Sequence, residues 1–227
     1  MPLKRRDFLK MVGGAAFLSA MPSCADAAET KLLKNENKPG FYVRFYKPFK
    51  PVDTTRWRLK VGGLCDNPQS FDIAALKNLK KASQLSRMKC VECWSAKAKW
   101  AGFRPQTLFD IVKPNSEAKF LYIHSADDYY EYIPIDAILH SRTLFVYEMN
   151  DKPLPDEHGA PLRLIIPPKY GYKSIKTIVR LEFVSKSGVG YWSQFGYSPD
   201  ATIQPGEDYP LDIGKSVEIK KVGELEY

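Results

Sequence analysis

The chain has 227 residues, a formal net charge of +8 and 44% hydrophobic residues. That size and composition describe one sizeable globular domain with a buried core, and they exclude a low-complexity or disordered chain. The excess of 34 Lys and Arg over 26 Asp and Glu suits an anionic cofactor or an acidic redox partner, and equally a merely basic surface. No nucleic-acid-binding motif is present, so no nucleic-acid partner is expected.

The N-terminus reads as an address. Arg5-Arg6-Asp7-Phe8-Leu9-Lys10 precedes an apolar stretch from Met11 to Met21, and small residues ending in Ala25-Asp26-Ala27 follow. This is the layout of a twin-arginine signal peptide spanning 1–27, with the mature domain spanning 28–227. The apolar stretch is short for a bilayer span, which needs about 20 residues. The expected location is therefore the periplasm, reached by a route that exports folded proteins. Cys24 invites a lipid-anchor reading, but Pro22 just before Ser23-Cys24 fits that poorly.

Residues 28–40 are polar and read as an irregular lead-in. Trp57, Leu59 and Val61 alternate with polar residues up to Gly62-Gly63, a strand pattern. Asp72 is placed to cap a short helix carrying Ile73, Leu76 and Leu79. Thr107 to Val112 reads as another short helix, stopped before Pro114. Strands rich in β-branched and aromatic residues are expected over Lys119–His124, Thr143–Met149, Leu162–Ile166 and Ile175–Val184, with a turn at Asn150-Asp151. Residues 196–227 have little periodicity and read as a surface wrap. There is no repeat and no internal linker. The fold class is α+β, one strand-rich domain with short helices.

Loss of residues 1–27 leaves Cys65, Cys90 and Cys93, an odd number in an oxidising compartment. A Cys65–Cys93 disulfide is possible, and a metal-held thiolate would also account for the count. The Cys90-x-x-Cys93 spacing alone is weak. Zinc would need a second ligand pair, a c-type haem would need His where Trp94 stands, and a thioredoxin-like dithiol would need a βαβ pattern. A buried structural cysteine stays open on spacing alone.

A resemblance extends beyond the pair. Phe41-Tyr42-Val43-Arg44, Trp57 to Gly63, Cys90-Val91-Glu92-x-Trp94-Ser95, Trp100-Ala101-Gly102-Phe103, Glu157-His158-Gly159-Ala160-Pro161-Leu162-Arg163 and Lys169-Tyr170-Gly171-Tyr172-Lys173-Ser174-Ile175-Lys176 occur in the order of a known family. Over about Phe41 to Val184 the chain resembles the sulfite oxidase and molybdopterin-dependent methionine sulfoxide reductase family. The resemblance implies a sulfite-oxidase-type fold holding molybdenum on one molybdopterin, with Cys90 as the metal ligand. It implies cofactor contacts from Tyr42, Val43, Arg44, Ser125, His158, Arg163 and Lys176, with Ser174 and Ile175 N–H groups forming an anion nest. Arg163 and Lys176 would meet phosphate or pterin. It places Glu92, Arg44, Trp100 and Tyr129 at the substrate pocket.

The oxidase branch carries two arginines shortly after its metal cysteine, where this chain has Trp94-Ser95. A dry site for a dianion such as sulfite needs cations. The expected activity is therefore reduction of S-oxides such as methionine sulfoxide, with sulfite dehydrogenation as the alternative, supported by Arg44, His158 and Tyr129. A non-catalytic export-associated binding domain is the reading that an intact Cys90 argues against. The 43 residues after Val184 are too few for the oxidases' dimerising sandwich of ~100 residues, so a monomer or weak dimer is expected. No haem-attachment motif is present, so the electron partner is expected to be a separate haem protein, either a membrane haem b subunit or a cytochrome c.

Overall fold

The computed structural model describes residues 41–43, 47 and 50–227. The expected signal segment 1–27, the lead-in 28–40 and Arg44 lie outside the described residues. Among the described residues, twelve strands and three short α-helices alternate. In order they are β1 (Leu59–Gly63), β2 (Gln69–Phe71), α1 (Ile73–Lys77), β3 (Lys81–Lys89), β4 (Trp94–Phe103), α2 (Pro105–Val112), β5 (Phe120–Ser125), β6 (Tyr130–Pro134), α3 (Ile135–Ile138), β7 (Leu144–Met149), β8 (Lys152–Pro153), β9 (Arg163–Ile165), β10 (Ile178–Val184), β11 (Gly206–Pro210) and β12 (Val217–Ile219). The α+β expectation holds.

The strands form two sheets. One has the order β2-β1-β10-β5-β6, with β1 and β10 parallel and the other neighbours antiparallel. The other is built on β4. That strand pairs along its length with β3, at its start with β11 and at its end with β7; β7 in turn carries β8 and β9.

Period-2 patterning divides the core. On β7, Phe145 and Tyr147 join the cluster under the five-stranded sheet with Leu121, Ile123 and Leu181. Leu144 and Val146 face the other way, toward Trp94, Ala96, Ala98 and Trp100 of β4. A strand buried on both faces reads as a continuous apolar run, and Leu-Phe-Val-Tyr does.

Local chemistry sets the element ends as the sequence implied. The Asp72 carboxylate accepts from the Ala75 N–H at 2.8 Å and caps α1. Asn150 and Asp151 take φ of 53° and 63° in the β7–β8 turn, the left-handed conformation that Asn and Asp tolerate.

Two expectations are corrected. Residues 196–227 are not a loose wrap. Strand β11 adds parallel to the start of β4, at Tyr209 opposite Trp94 and Pro210 opposite Ser95. Lack of periodicity hid this because β11 pairs over only two residues. The sequence also did not mark the long β3–β4 hairpin, whose alternation is interrupted by buried polar residues.

Those polar residues form a buried charge network. Lys89, at the end of β3, pairs with Asp208 of β11 at 3.0 Å, and both are essentially inaccessible. Ser95 Oγ and Tyr227 Oη also donate to Asp208. Arg87 forms a two-pronged ion pair with Asp212 and donates to the Tyr227 carbonyl. The C-terminal segment is thus bolted to both strands that carry the Cys90 turn. Truncating one partner of a buried pair strands the other charge, at a cost of about 3–5 kcal/mol. Asp208→Ala is therefore expected to lower the unfolding free energy measured in urea by that order, and the midpoint with it. An unchanged midpoint would refute the bolt.

Candidate active site

Cys90 follows β3 directly and opens the turn of the β3–β4 hairpin. Its N–H donates to the Trp94 carbonyl at 2.8 Å, and Cys93 absorbs the reversal at φ 73°. Cys65 and Cys90 are thiols, so the Cys65–Cys93 bridge left possible by the sequence does not form. The turn presents the Cys90 sulfur to a cleft. The Glu92 N–H points at that sulfur from 3.5 Å, and Glu92 Oε2 lies 3.8 Å from it. The Cys90 thiol in turn donates to that Glu92 oxygen.

The opposite side of the cleft is cationic. Arg163 is 3% exposed and donates to the carbonyls of His158 at 2.9 Å and Ser174 at 3.2 Å. Its guanidinium lies 5.2 Å from the Trp100 ring centroid and also contacts Met88 of β3. Lys176 reaches the Glu157 carbonyl at 3.3 Å. Burial brings the Arg163 pKa down to about 9. Burial and then Arg163 bring Lys176 down to about 8. Burial, Arg163 and Lys176 together push His158 down to about 3, so it is neutral here.

Close packing makes this possible. Gly159 has φ 103°, and a Cβ there would sit 2.6 Å from the Lys176 Cβ. Only glycine lets the His158 turn press on the Lys176 segment. Ser125, at the end of β5, donates to the Lys176 carbonyl at 2.7 Å and fixes that segment from its other side.

Most residues singled out by the sequence therefore converge. Tyr42, Val43, Cys90, Glu92, Ser125, Tyr129, His158, Arg163, Ser174, Ile175 and Lys176 all line the one cleft. Two expectations change. Trp100 does not reach the cleft; it is wholly buried on β4 beneath Arg163, with Nε1 donating to the Ser86 carbonyl at 3.3 Å. Its position on β4 points it into the core. The Ser174 N–H is also taken, donating to the Gly171 carbonyl at 3.0 Å to close a 3₁₀ turn, so it is not part of an anion nest. The sequence missed Met88, Asp127, Tyr172, Trp192 and Tyr197, which also line the cleft. Tyr172 lies inside a motif already quoted, whereas Trp192 and Tyr197 come from a segment with no periodic signal.

The donor set tests which cofactor fits. Among the described residues no three His, Cys, Asp or Glu side chains cluster to hold a metal ion. A metal bound at Cys90 must therefore bring its other ligands with it. Arg163 Nε is buried without a hydrogen-bond partner, and Arg163 adds to the depression of Lys176 in a poorly solvated wall. An anionic group beside them would relieve that repulsion. A cysteine sulfur on one wall and cations on the other fit a metal carried on an organic, phosphate-bearing cofactor.

These features define a cofactor-dependent oxidoreductase of the molybdenum class. Residues 46–192 match the model of the oxidoreductase molybdopterin binding domain, and the chain belongs to that family. The chain is 30% identical over 246 residues to the protein-methionine-sulfoxide reductase catalytic subunit MsrP of Campylobacter jejuni, covering 91% of this chain and 83% of that one. It is 33% identical over 185 residues to the protein of the same name from Xanthomonas axonopodis, covering 72% of this chain and 57% of that relative. The fold is shared with the sulfane dehydrogenase SoxCD of Paracoccus pantotrophus, at a TM-score of 0.64 and 17% identity over 78% of this chain and 48% of the other.

The neutral, buried His158 has a consequence for stability. Its folded pKa, about 3, lies below the ordinary 6.5, so the unfolded chain binds a proton that the folded chain refuses. This contribution to stability is complete above about pH 6.5 and is lost as pH falls, at up to about 1.4 kcal/mol per pH unit. Chemical denaturation of the cofactor-free chain between about pH 6.5 and 5 is expected to show that slope, reduced in His158→Asn. An equal slope in the variant would show that His158 is not the group.

Proposed function

We propose that the chain is an exported molybdenum-molybdopterin reductase, holding one pterin, that removes oxygen from S-oxides such as methionine sulfoxide. The observation that carries the reading is the Glu92 carboxylate, 3.8 Å from the Cys90 sulfur. A carboxylate at the reacting end of the cleft repels a dianion such as sulfite. It tolerates a neutral, dipolar S-oxide. The cations Arg163 and Lys176 stand with the cofactor-binding motifs, so their charge belongs to the phosphate end. Aromatic rings of Trp94, Tyr172, Trp192 and Tyr197 line the rest of the cleft and suit a thioether group. The names of the Campylobacter and Xanthomonas relatives support the same reading.

The division of labour follows from the walls. When bound, the molybdenum cofactor supplies two-electron oxygen-atom transfer. Cys90 holds it from the hairpin turn, Arg163 and Lys176 neutralise its anionic end, and the neutral His158 shapes the wall between them. Tyr42 and Val43 close the side next to Trp94, with the Tyr42 and Trp94 ring centroids 5.1 Å apart. Arg44 belongs to this reading as a cofactor or substrate contact. Electrons come from a separate haem protein, a membrane haem b subunit or a cytochrome c, because the chain carries no haem-attachment motif. The Arg5-Arg6 segment supports export through the twin-arginine route to the periplasm.

Protein exported by its own signal is expected to contain molybdenum and to reduce methionine sulfoxide with a reduced viologen dye as electron source. Sulfite oxidation should be weak by comparison; sulfite turnover exceeding sulfoxide turnover would reverse the assignment. Cys90→Ser should fold and lose turnover in both directions. Retained turnover in that variant would remove Cys90 as the metal ligand.

A further inference from the structure

Behind the cleft wall formed by Tyr129 lies an ionisable cluster that joins Glu131 to Lys173 of the Lys169–Lys176 motif. Glu131 of β6 is wholly buried, and its Oε2 accepts from Nζ of Lys173, which is buried as well. Glu131 Oε1 is 3.0 Å from the Tyr129 hydroxyl, and that hydroxyl is also 2.8 Å from the Tyr172 carbonyl. Gly190 seals the far side, because a Cβ there would meet Glu131 Oε2 at 2.0 Å. Strand β5 presents only Ile123 opposite Glu131. The groups facing the carboxyl are thus Lys173, Tyr129 and the Gly190 backbone. Tyr129 itself lines the cleft.

Counting hydrogens is informative. The Tyr129 hydroxyl has one hydrogen and two acceptors within bonding distance. Both contacts are hydrogen bonds only if Glu131 Oε1 carries a proton and donates it to Tyr129, while Tyr129 donates to Tyr172. With Glu131 ionised, Tyr129 turns its hydrogen to Glu131 and the Tyr172 carbonyl loses that donor. The two states differ by one proton and by the direction of one O–H bond. We propose that Glu131 is a proton store for the cleft and that Tyr129 is its outlet, so that the pair supplies one of the two protons consumed when an S-oxide is reduced.

The proposal rests on the S-oxide reading of the cleft. Reduction of R₂S=O to R₂S consumes two electrons and two protons and releases water. The electrons come from a reduced one-electron carrier. One proton passes from the Tyr129 hydroxyl to the departing oxygen as the Glu131 proton moves onto Tyr129. The second comes from water at the open mouth of the cleft. Glu131 is left as a carboxylate paired with Lys173 and is recharged from solvent. Two features suit this role. Burial raises the Glu131 carboxyl above the ordinary carboxylate range, with Lys173 opposing. Burial also pushes the Tyr129 hydroxyl well up, so it passes a proton on only as it receives one.

The test uses cofactor-loaded protein and two independent readouts. Infrared spectra across neutral pH should show a protonated-carboxyl band in the wild type that is missing in Glu131→Gln. With reduced viologen and methionine sulfoxide, Glu131→Gln and Tyr129→Phe should each lower kcat about a hundredfold or more while KM and molybdenum content hold. A wild type without the band, or a Glu131→Gln variant with unchanged kcat, would reduce the cluster to a structural ion pair and overturn the proposal. The wild-type spectrum decides this even if Glu131→Gln fails to fold. Loss of S-oxide turnover in the wild type itself would instead strike the functional reading and leave the infrared result standing.

Discussion

The walls of the cleft converge on the Arg163 guanidinium, which donates to the carbonyls of His158 and Ser174, touches Met88 and lies over the Trp100 ring. The β3–β4 hairpin, the His158 turn and the Ser174 loop meet on one planar cation. Lysine could not replace it, because only a fork satisfies two carbonyls at once while stacking on an aromatic face. Removing it would leave two carbonyls unmet in a buried wall, at about 1–3 kcal/mol each. It would also cut the link between the Cys90 strand and the two motif loops. Holding a charge there is costly, as its lowered pKa shows. An anionic cofactor alongside would offset that cost, so architecture and cofactor affinity depend on the same side chain.

The Cys90 side is built on a parallel logic. A hairpin turn is a soft element, and a metal ligand must be held to fractions of an ångström. Rigidity comes from below. Lys89 and Ser95, on either side of the turn, both contact Asp208, and Arg87 is tied to Asp212 and the terminal carbonyl. The C-terminal segment thus acts as a clamp on the ligand-bearing hairpin. Buried ion pairs are poor sources of net stability but good at fixing one register, which is the property this turn requires.

Charge is sorted across the cleft. Arg163 and Lys176 gather on the wall built from the Gly159 and Ser174 loops, while Glu92 stands by the sulfur. Behind Tyr129 lies the buried Glu131–Lys173 pair. Each of these polar groups sits in a medium that magnifies electrostatics, so small changes of charge near Cys90 carry large consequences for which oxygen compound can enter.

Much of this was legible in the sequence, for identifiable reasons. Asp72 as a cap, the Asn150-Asp151 turn and the alternating strands follow from local backbone chemistry, which neighbours in sequence determine. Cys90, Glu92, His158, Arg163 and Lys176 were legible because short motifs keep their spacing wherever the chain runs. The β3–β4 hairpin was not, because its buried polar residues break the apolar alternation, and Arg87 and Lys89 are satisfied by a segment more than a hundred residues away. Trp100 looked like a wall residue because sequence cannot say which face of a strand points at a cleft. Ser174 looked like an anion donor because sequence cannot show that its N–H closes a turn. By itself, then, the sequence determined the family and the local elements, and it singled out Cys90. The tertiary structure alone decided which polar groups were already spent on one another and which remained to face a ligand, because hydrogen-bond satisfaction is settled between segments that only folding brings together.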